Sequence, residues 1–256
     1  MGGRCMEKVT SIEEGLNKLF LMREMDIPKY SYGKMQSGLV DRLCYQGNEI
    51  PVFYWRHEPK NMGLRIYGQK NVQENCTLNV YSFTGKDETI EELLFREMDL
   101  AEHILGAKVV KVTAVRNGDA CNIIGVTELG TCVNLEIGTT MAPGSTNQCQ
   151  HRLITKRGMA NDRVVDTQVV QESVYVYDNR STTPTTYSDL DIYLYGLNTT
   201  DILKVSFAFS ILIERQNVEE LILQANHLNQ VVKAVQESVE HCTTVSIMSC
   251  EEVRDE

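Results

Sequence analysis

Apolar residues recur at helical spacing soon after the start of the chain. Ile12, Leu16, Leu19 and Phe20 fall on one face, and Ser11 with Glu14 forms a capping box in front of them. The pattern predicts a helix that ends before Pro28. Residues 28–49 follow no single period, are punctuated by Gly33, Gly38 and Gly47, and leave room for a short helix at 35–45. Ile50, Val52 and Tyr54 then alternate with Pro51, Phe53 and Trp55, which predicts a strand over 50–56, and CTLNVYSF predicts another over 76–83. Gly85 interrupts the chain. Thr89 and Glu92 make a second capping box, opening a helix that carries Ile90, Leu93, Leu94, Leu100, Ala101, Ile104 and Leu105 and stops at Gly106.

The next hundred residues are strand-rich. Lys108–Val115 places Val110, Val112 and Ala114 on one face, and Val133, Leu135 and Ile137 alternate with Asn134, Glu136 and Gly138. Residues 150–156 and 168–177 are further strands, the latter carrying a β-branched and aromatic run. Asp191–Tyr195 reads as a short strand. From 203 to 214, Val205, Phe207, Phe209, Ile211 and Ile213 alternate with Lys204, Ser206, Ala208 and Ser210, which predicts a long strand. Val218, Leu221, Ile222, Ala225, Leu228, Val232, Val235 and Val239 define one stripe of a closing helix over 218–241, with a short strand in TTVSIM after it. Strands in the middle with helices towards both ends imply an α+β fold: an open, mostly antiparallel or mixed sheet with helices on one face. The other face is then available to a partner.

Composition narrows the possibilities. The net charge of -10 and the scattered basic residues argue against a nucleic-acid partner, which needs clustered Lys and Arg. The eight cysteines form no C-x-x-C and have no zinc-type spacing with histidine, so they read as reduced thiols, with Cys132 as a small core residue. No stretch approaches 18 apolar residues and MGGRCMEKVTS has no apolar leader core, so a cytoplasmic protein without a membrane span is expected. No Gly-rich phosphate loop and no G-x-G-x-x-G occurs, so no bound dinucleotide or other cofactor is expected.

The segment from Thr84 to Val115, TGKDETIEELLFREMDLAEHILGAKVVKVTAV, resembles the start of the C-terminal domain of the Gfo/Idh/MocA oxidoreductases, where a helix carrying H-x-x-D-L ends at a Gly and leads into a Val-rich strand. QCQHRLITKRGMAND is similar to the strand and G-x-x-G turn in the middle of that family's sheet, here Thr155-Lys-Arg-Gly158. HLNQVVKAVQESVEHCTTVSI resembles its closing helix and strand, with Ala234, Ser238 and Val245 in the small and apolar positions. The resemblance runs over roughly residues 48–250. It implies a sheet domain of the dihydrodipicolinate/glyceraldehyde-phosphate-dehydrogenase-like C-terminal type over 48–256, preceded by a helical extension over 1–47. In the family this domain walls the sugar site and often forms the oligomer interface, while a separate Rossmann domain binds the nicotinamide cofactor. Residues 1–47 are too short for a Rossmann domain. The family's Glu-Lys-Pro signature is absent, His57-Glu-Pro-Lys60 being a chance arrangement of similar letters, and Arg96 stands where the catalytic His is expected. Arg cannot exchange a proton near neutrality.

The candidate ligand contacts are therefore Arg56 and His57, after the strand that ends in Tyr54 and Trp55, and Arg96 and Asp99, which share a helix face. Each pair has a plainer alternative, a solvated strand end and an ordinary helix ion pair. Asp99 with His103 could seed an acid/base pair but lacks a third partner. His151, Arg152, Lys156 and Arg157 form the one basic cluster, expected on a solvated sheet face because alternate strand positions point opposite ways. Asp162, Asp166 and Asp178 are weaker candidates for a carboxylate pair. Three functions are compatible with this reading: an accessory, ligand-binding or homo-oligomerising protein without its own dehydrogenase activity, the substrate-side subunit of an oxidoreductase whose Rossmann domain is a separate chain, and a cofactor-independent isomerase or lyase acting on a small sugar-like ligand.

Overall fold

The computed structural model describes residues 9–72, 76–85, 87–142, 145, 147–162, 174–178, 185–187, 194 and 197–247. In chain order the elements are α1 (Ile12–Met22), β1 (Tyr30–Lys34), β2 (Asp41–Tyr45), β3 (Asn48–Pro51), a 3-10 turn (Tyr54–His57), α2 (Pro59–Asn71), β4 (Thr77–Phe83), α3 (Ile90–Leu105), β5 (Val109–Asn117), β6 (Ala120–Thr127), β7 (Cys132–Gly138), β8 (Gln148–Thr155), β9 (Gly158–Asn161), β10 (Val174–Asp178), β11 (Thr185–Tyr187), α4 (Thr199–Leu212), α5 (Val218–His241) and β12 (Val245–Ser246). The expected strand at Asp191–Tyr195, save Leu194, and the first half of the one at 168–177 lie outside the described residues.

The chain divides into two compact units, Met1–Glu58 with Leu190–Leu223 and Pro59–Asp189 with Gln224–Glu256. Residues 48–58 and 190–223, read in sequence as part of the sheet domain, thus group with the N-terminal segment. The first unit is not simply helical. β1, β2 and β3 form an antiparallel three-stranded sheet where a short helix was expected over 35–45. Gln46 and Gly47 both take positive φ between β2 and β3, as a two-residue hairpin turn requires. The expected strand at 50–56 ends at Pro51, and Arg56 and His57 lie on the 3-10 turn.

Where a strand was expected over 203–214, residues 203–212 belong to α4, which Asn198 caps by accepting from the Asp201 N–H at 2.8 Å. The alternation misleads because the C-terminal half of α4 is buried almost all round, Ala208 and Ser210 included. Phe209 of α4 meets Phe20 of α1 edge-on at 4.9 Å.

In the second unit, nine strands among the described residues form one sheet in the order β11-β10-β9-β8-β4-β7-β6-β5-β12. Neighbours are antiparallel except β4 and β7, which run parallel. Leu78, Val80, Val133, Leu135, Ile137, Cys121 and Ile123 point to the buried face, against which α3 packs. On the other face of the sheet, Tyr81, Ile124, Val126 and, on β8, Ile154 are exposed. Cys132 belongs to that outer set and its thiol reaches Asn134, so it is not a core residue. The α+β class and the open mixed sheet agree with the sequence reading.

α3 organises this unit. Thr89 and Glu92 close the capping box, and Gly106 ends the helix at φ 68. α2, which the hydrophobic pattern did not reveal, crosses α3 so closely that a Cβ on Gly68 would lie 2.1 Å from the Ile104 carbonyl oxygen.

Candidate functional site

The buried face of the sheet carries a polar cluster built by α3, β4 and β8. Alternation along β8 turns Cys149, His151, Leu153 and Thr155 to one side, the side on which Leu153 is buried. β8 pairs with β4 so that Val80 stands opposite His151 and Ser82 opposite Cys149. Glu97 of α3 reaches into this position. Its Oε2 lies 2.9 Å from His151 Nε2, while Oε1 accepts from Ser82 Oγ at 2.8 Å and from Arg96 Nε at 3.2 Å. On the other side of the ring, Asp162 Oδ2 lies 2.7 Å from His151 Nδ1, and its Oδ1 accepts the His151 backbone N–H at 2.6 Å. Glu97 and His151 are both 0% exposed.

The charges in this cluster hold each other. Burial works to raise the Glu97 pKa, but the hydrogen bond from His151 and the charge of Arg96 overcome it and bring it down to about 2. Burial works to lower His151, and the Cys149 sulfur with the Asp162 carboxylate more than reverse that, lifting it well above its ordinary value. His151 is thus an imidazolium between two carboxylates. The expectation that His151 belongs to a solvated basic face is overturned: it points into the core, whereas Arg157 is exposed at the β8–β9 turn.

The opposite side of α3 carries a second network. Gln224 of α5 donates to Asp99 Oδ1 at 3.1 Å and to Glu102 Oε2 at 2.8 Å, and His227 Nε2 lies 2.7 Å from Glu102 Oε1. Asp99 is 0% exposed, so its carboxylate belongs to this helix-to-helix contact. Arg96 points elsewhere, to Glu88 and Glu97. Arg96 and Asp99 are therefore neighbours in sequence with different partners. Between the start of α3 and the C-terminal half of α5, a recess of about 190 Å³ is walled by Leu94, Cys121, Ile137, Val235 and Val239, with Glu240 and the Arg116–Glu91 pair, 2.9 Å apart, as its charged residues.

Arg56 and His57 belong to the first unit. The Arg56 guanidinium lies over the Phe53 ring at 4.4 Å. His57 Nδ1 is 3.2 Å from Ser206 Oγ and its ring meets Phe207 at 4.9 Å. Burial, with Arg56 beside it, lowers the His57 pKa to about 4, so it is neutral at pH 7. Trp55 beside them is buried, and Lys204 Nζ sits over the Tyr54 ring. The sequence reading missed the group beside it, where the buried carboxylate of Asp41 binds Lys204 Nζ and the Tyr32 hydroxyl, each at 2.8 Å.

Among the described residues, Glu97, Cys149 and His151 are the one place where three metal-ligand types converge. Asp166 lies outside the described residues. No described helix is long and apolar enough to cross a membrane.

No model of a known protein family matches the chain, and no curated protein matches it. Solved structures do. A putative oxidoreductase from Thermotoga maritima matches at a TM-score of 0.57 and 12% identity, over 77% of this chain and 63% of that one. Levoglucosan dehydrogenase in complex with NADH and L-sorbose matches at 0.61 and 12%, over 77% and 65%. An oxidoreductase from Agrobacterium radiobacter in complex with NAD+, L-tartaric acid and magnesium matches at 0.62 and 14%, over 93% and 70%. The chain thus corresponds to less than two thirds of the length of the first two. These likenesses, at 12–14% identity, speak to fold: the chain shares the fold of the matched part of these oxidoreductases, in keeping with its resemblance to the Gfo/Idh/MocA C-terminal sheet domain.

Proposed function

We propose that this chain is an assembling, ligand-binding sheet module of the sugar-oxidoreductase type, whose own residues perform no hydride transfer. The observation that carries the reading is the outer face of the large sheet. There Tyr81, Ile124, Val126 and Ile154 are exposed beside Asn79, Asn122, Asn134 and Glu136. A face of interspersed apolar and amide side chains suits association with a second copy of itself. Against independent redox chemistry stand the lack of any G-x-G-x-x-G in the 256 residues and the engagement of Arg96 by Glu88 and Glu97 where a proton-transferring histidine would be needed.

Light scattering coupled to size exclusion at micromolar concentration is expected to give a dimer or larger species. Replacing Ile124 by Glu places like charges in the contact and should weaken association at least about tenfold, some 1.4 kcal/mol. A wild-type chain that stays monomeric refutes the assembly reading.

A second reading concerns the ligand. The solved neighbours were captured with levoglucosan, L-sorbose or L-tartaric acid, all small polyhydroxylated molecules. A ligand of that class would meet Arg56, which supplies a planar fork of donors, with neutral His57 beside it. Calorimetry with L-tartrate should show binding that Arg56→Ala weakens about tenfold or more, the loss of a charge-assisted hydrogen bond. Binding unaffected by Arg56→Ala counts against this site. A separate dinucleotide-binding chain would complete a dehydrogenase, in keeping with the partial coverage of the longer neighbours.

A further inference from the structure

We propose that Glu97, Cys149 and His151 form a site for one transition-metal dication of the zinc or cobalt type. One ligand atom from each lies within 4.8 Å of the others. A tetrahedral ion with metal–nitrogen and metal–oxygen bonds of about 2.1 Å and a metal–sulfur bond of about 2.3 Å brings its ligands to about 3.3–3.6 Å apart, so closing the site takes movements of about an ångström. Cys149 makes most of that movement. It is exposed at the start of β8, where its sulfur lies 3.8 Å from His151 Nδ1, and χ1 rotation redirects it.

The groups around the site are already disposed as a metal centre needs. Asp162 takes the Nδ1–H of His151 with one oxygen and the backbone N–H of the same residue with the other. That fixes the ring and turns Nε2 towards Glu97, the carboxylate–histidine–metal order found in zinc sites. Ser82 and Arg96 both bind Oε1 of Glu97, which leaves Oε2, the oxygen facing Nε2, as the metal ligand. Coordination through Nε2 and Sγ takes a neutral imidazole and a thiolate, so binding releases protons to solvent. The thiolate and imidazole donors select a borderline ion over magnesium or calcium. The exposed Cys149 gives an entry path and leaves a fourth position open to water.

The test adds Co2+ alone to the chelator-treated, reduced full chain and records the visible and near-ultraviolet spectrum. One equivalent should bind, with tetrahedral d–d bands and a thiolate charge-transfer band, and Zn2+ should displace it. Cys149→Ala removes an exposed side chain and leaves the Glu97–His151–Asp162 hydrogen bonds in place, so it should fold as the parent by circular dichroism. It should lose the charge-transfer band and bind at least about a hundredfold more weakly. Cys242→Ala, at another exposed cysteine, should keep both. Absence of any thiolate band in the parent overturns the proposal, and so does a band that survives in Cys149→Ala or vanishes in Cys242→Ala.

Discussion

Replacing Glu97 by alanine is expected to lower the stability of the chain by about 3–5 kcal/mol, because it strands a buried cation. The Glu97 carboxylate, itself wholly buried, accepts from Ser82, Arg96 and His151 at once. Without it the His151 imidazolium keeps Asp162 alone, and the ring must give up a proton or stay half-compensated in the core. Glu97→Gln keeps the size and can still accept from Ser82, so its cost should fall to about 1–3 kcal/mol. Urea unfolding in the presence of a chelator measures both, and equal losses for Ala and Gln would show that charge is not what matters there.

The same pair sets a pH window. Glu97 is held at about 2 against 4.5 in the unfolded chain, so its contribution is present above 4.5 and is lost as pH falls towards 2. His151 is raised above 6.5, so its contribution is complete below 6.5 and is lost as pH rises through the folded value. The metal-free chain should therefore draw most from this cluster between pH 4.5 and 6.5, and Glu97→Ala should lower that plateau and lessen the fall on either side of it.

The second large effect is at Gly68. Alanine at this position would set its Cβ 2.1 Å from the Ile104 carbonyl oxygen of α3, a backbone atom that cannot swing aside. Alanine favours a helix over glycine by about 1 kcal/mol. Forcing α2 off α3 costs more, about 3 kcal/mol, so the clash wins. The net loss of about 2 kcal/mol corresponds to a fall in Tm of about 4–8 °C for a chain of this size. A Gly68→Ala variant that melts at or above the parent would mean that α2 and α3 do not approach as closely as described.

The difference between what the sequence disclosed and what it hid is physical. α3 was legible from Thr89 to Gly106 because its caps and its apolar stripe report the same element. α2 was not, since its buried positions are Asn61, Gly63, Leu64, Tyr67, Gly68 and Asn71, a stripe mostly of small and polar residues that serves close approach. α4 imitated a strand because Ala208 and Ser210 fill places where an exposed face would have polar residues. His151 was misplaced for want of one step. Alternation along 148–155 already puts it on the side of Leu153, and the Thr155–Gly158 turn fixes a hairpin register that sets 151 beside 162. Glu97 completes the cluster from α3, 54 residues before His151, and no local pattern reports that. Asp99 was singled out as a candidate ligand contact, and in the fold its carboxylate accepts from Gln224, a partner 125 residues away that no local pattern reports.

The division of the first unit between Met1–Glu58 and Leu190–Leu223 has a consequence for how the protein is made. Synthesis proceeds from the N-terminus at about 5–20 residues per second, so of the order of ten seconds separates Glu58 from Leu190. Throughout that interval Phe20 waits for Phe209 and Asp41 for Lys204. On the ribosome, β1–β3 and α1 present an unfinished apolar surface while most of the large sheet is translated. Nascent-chain chaperones have a long opportunity at these elements, which are made before most of the large sheet and completed only after it.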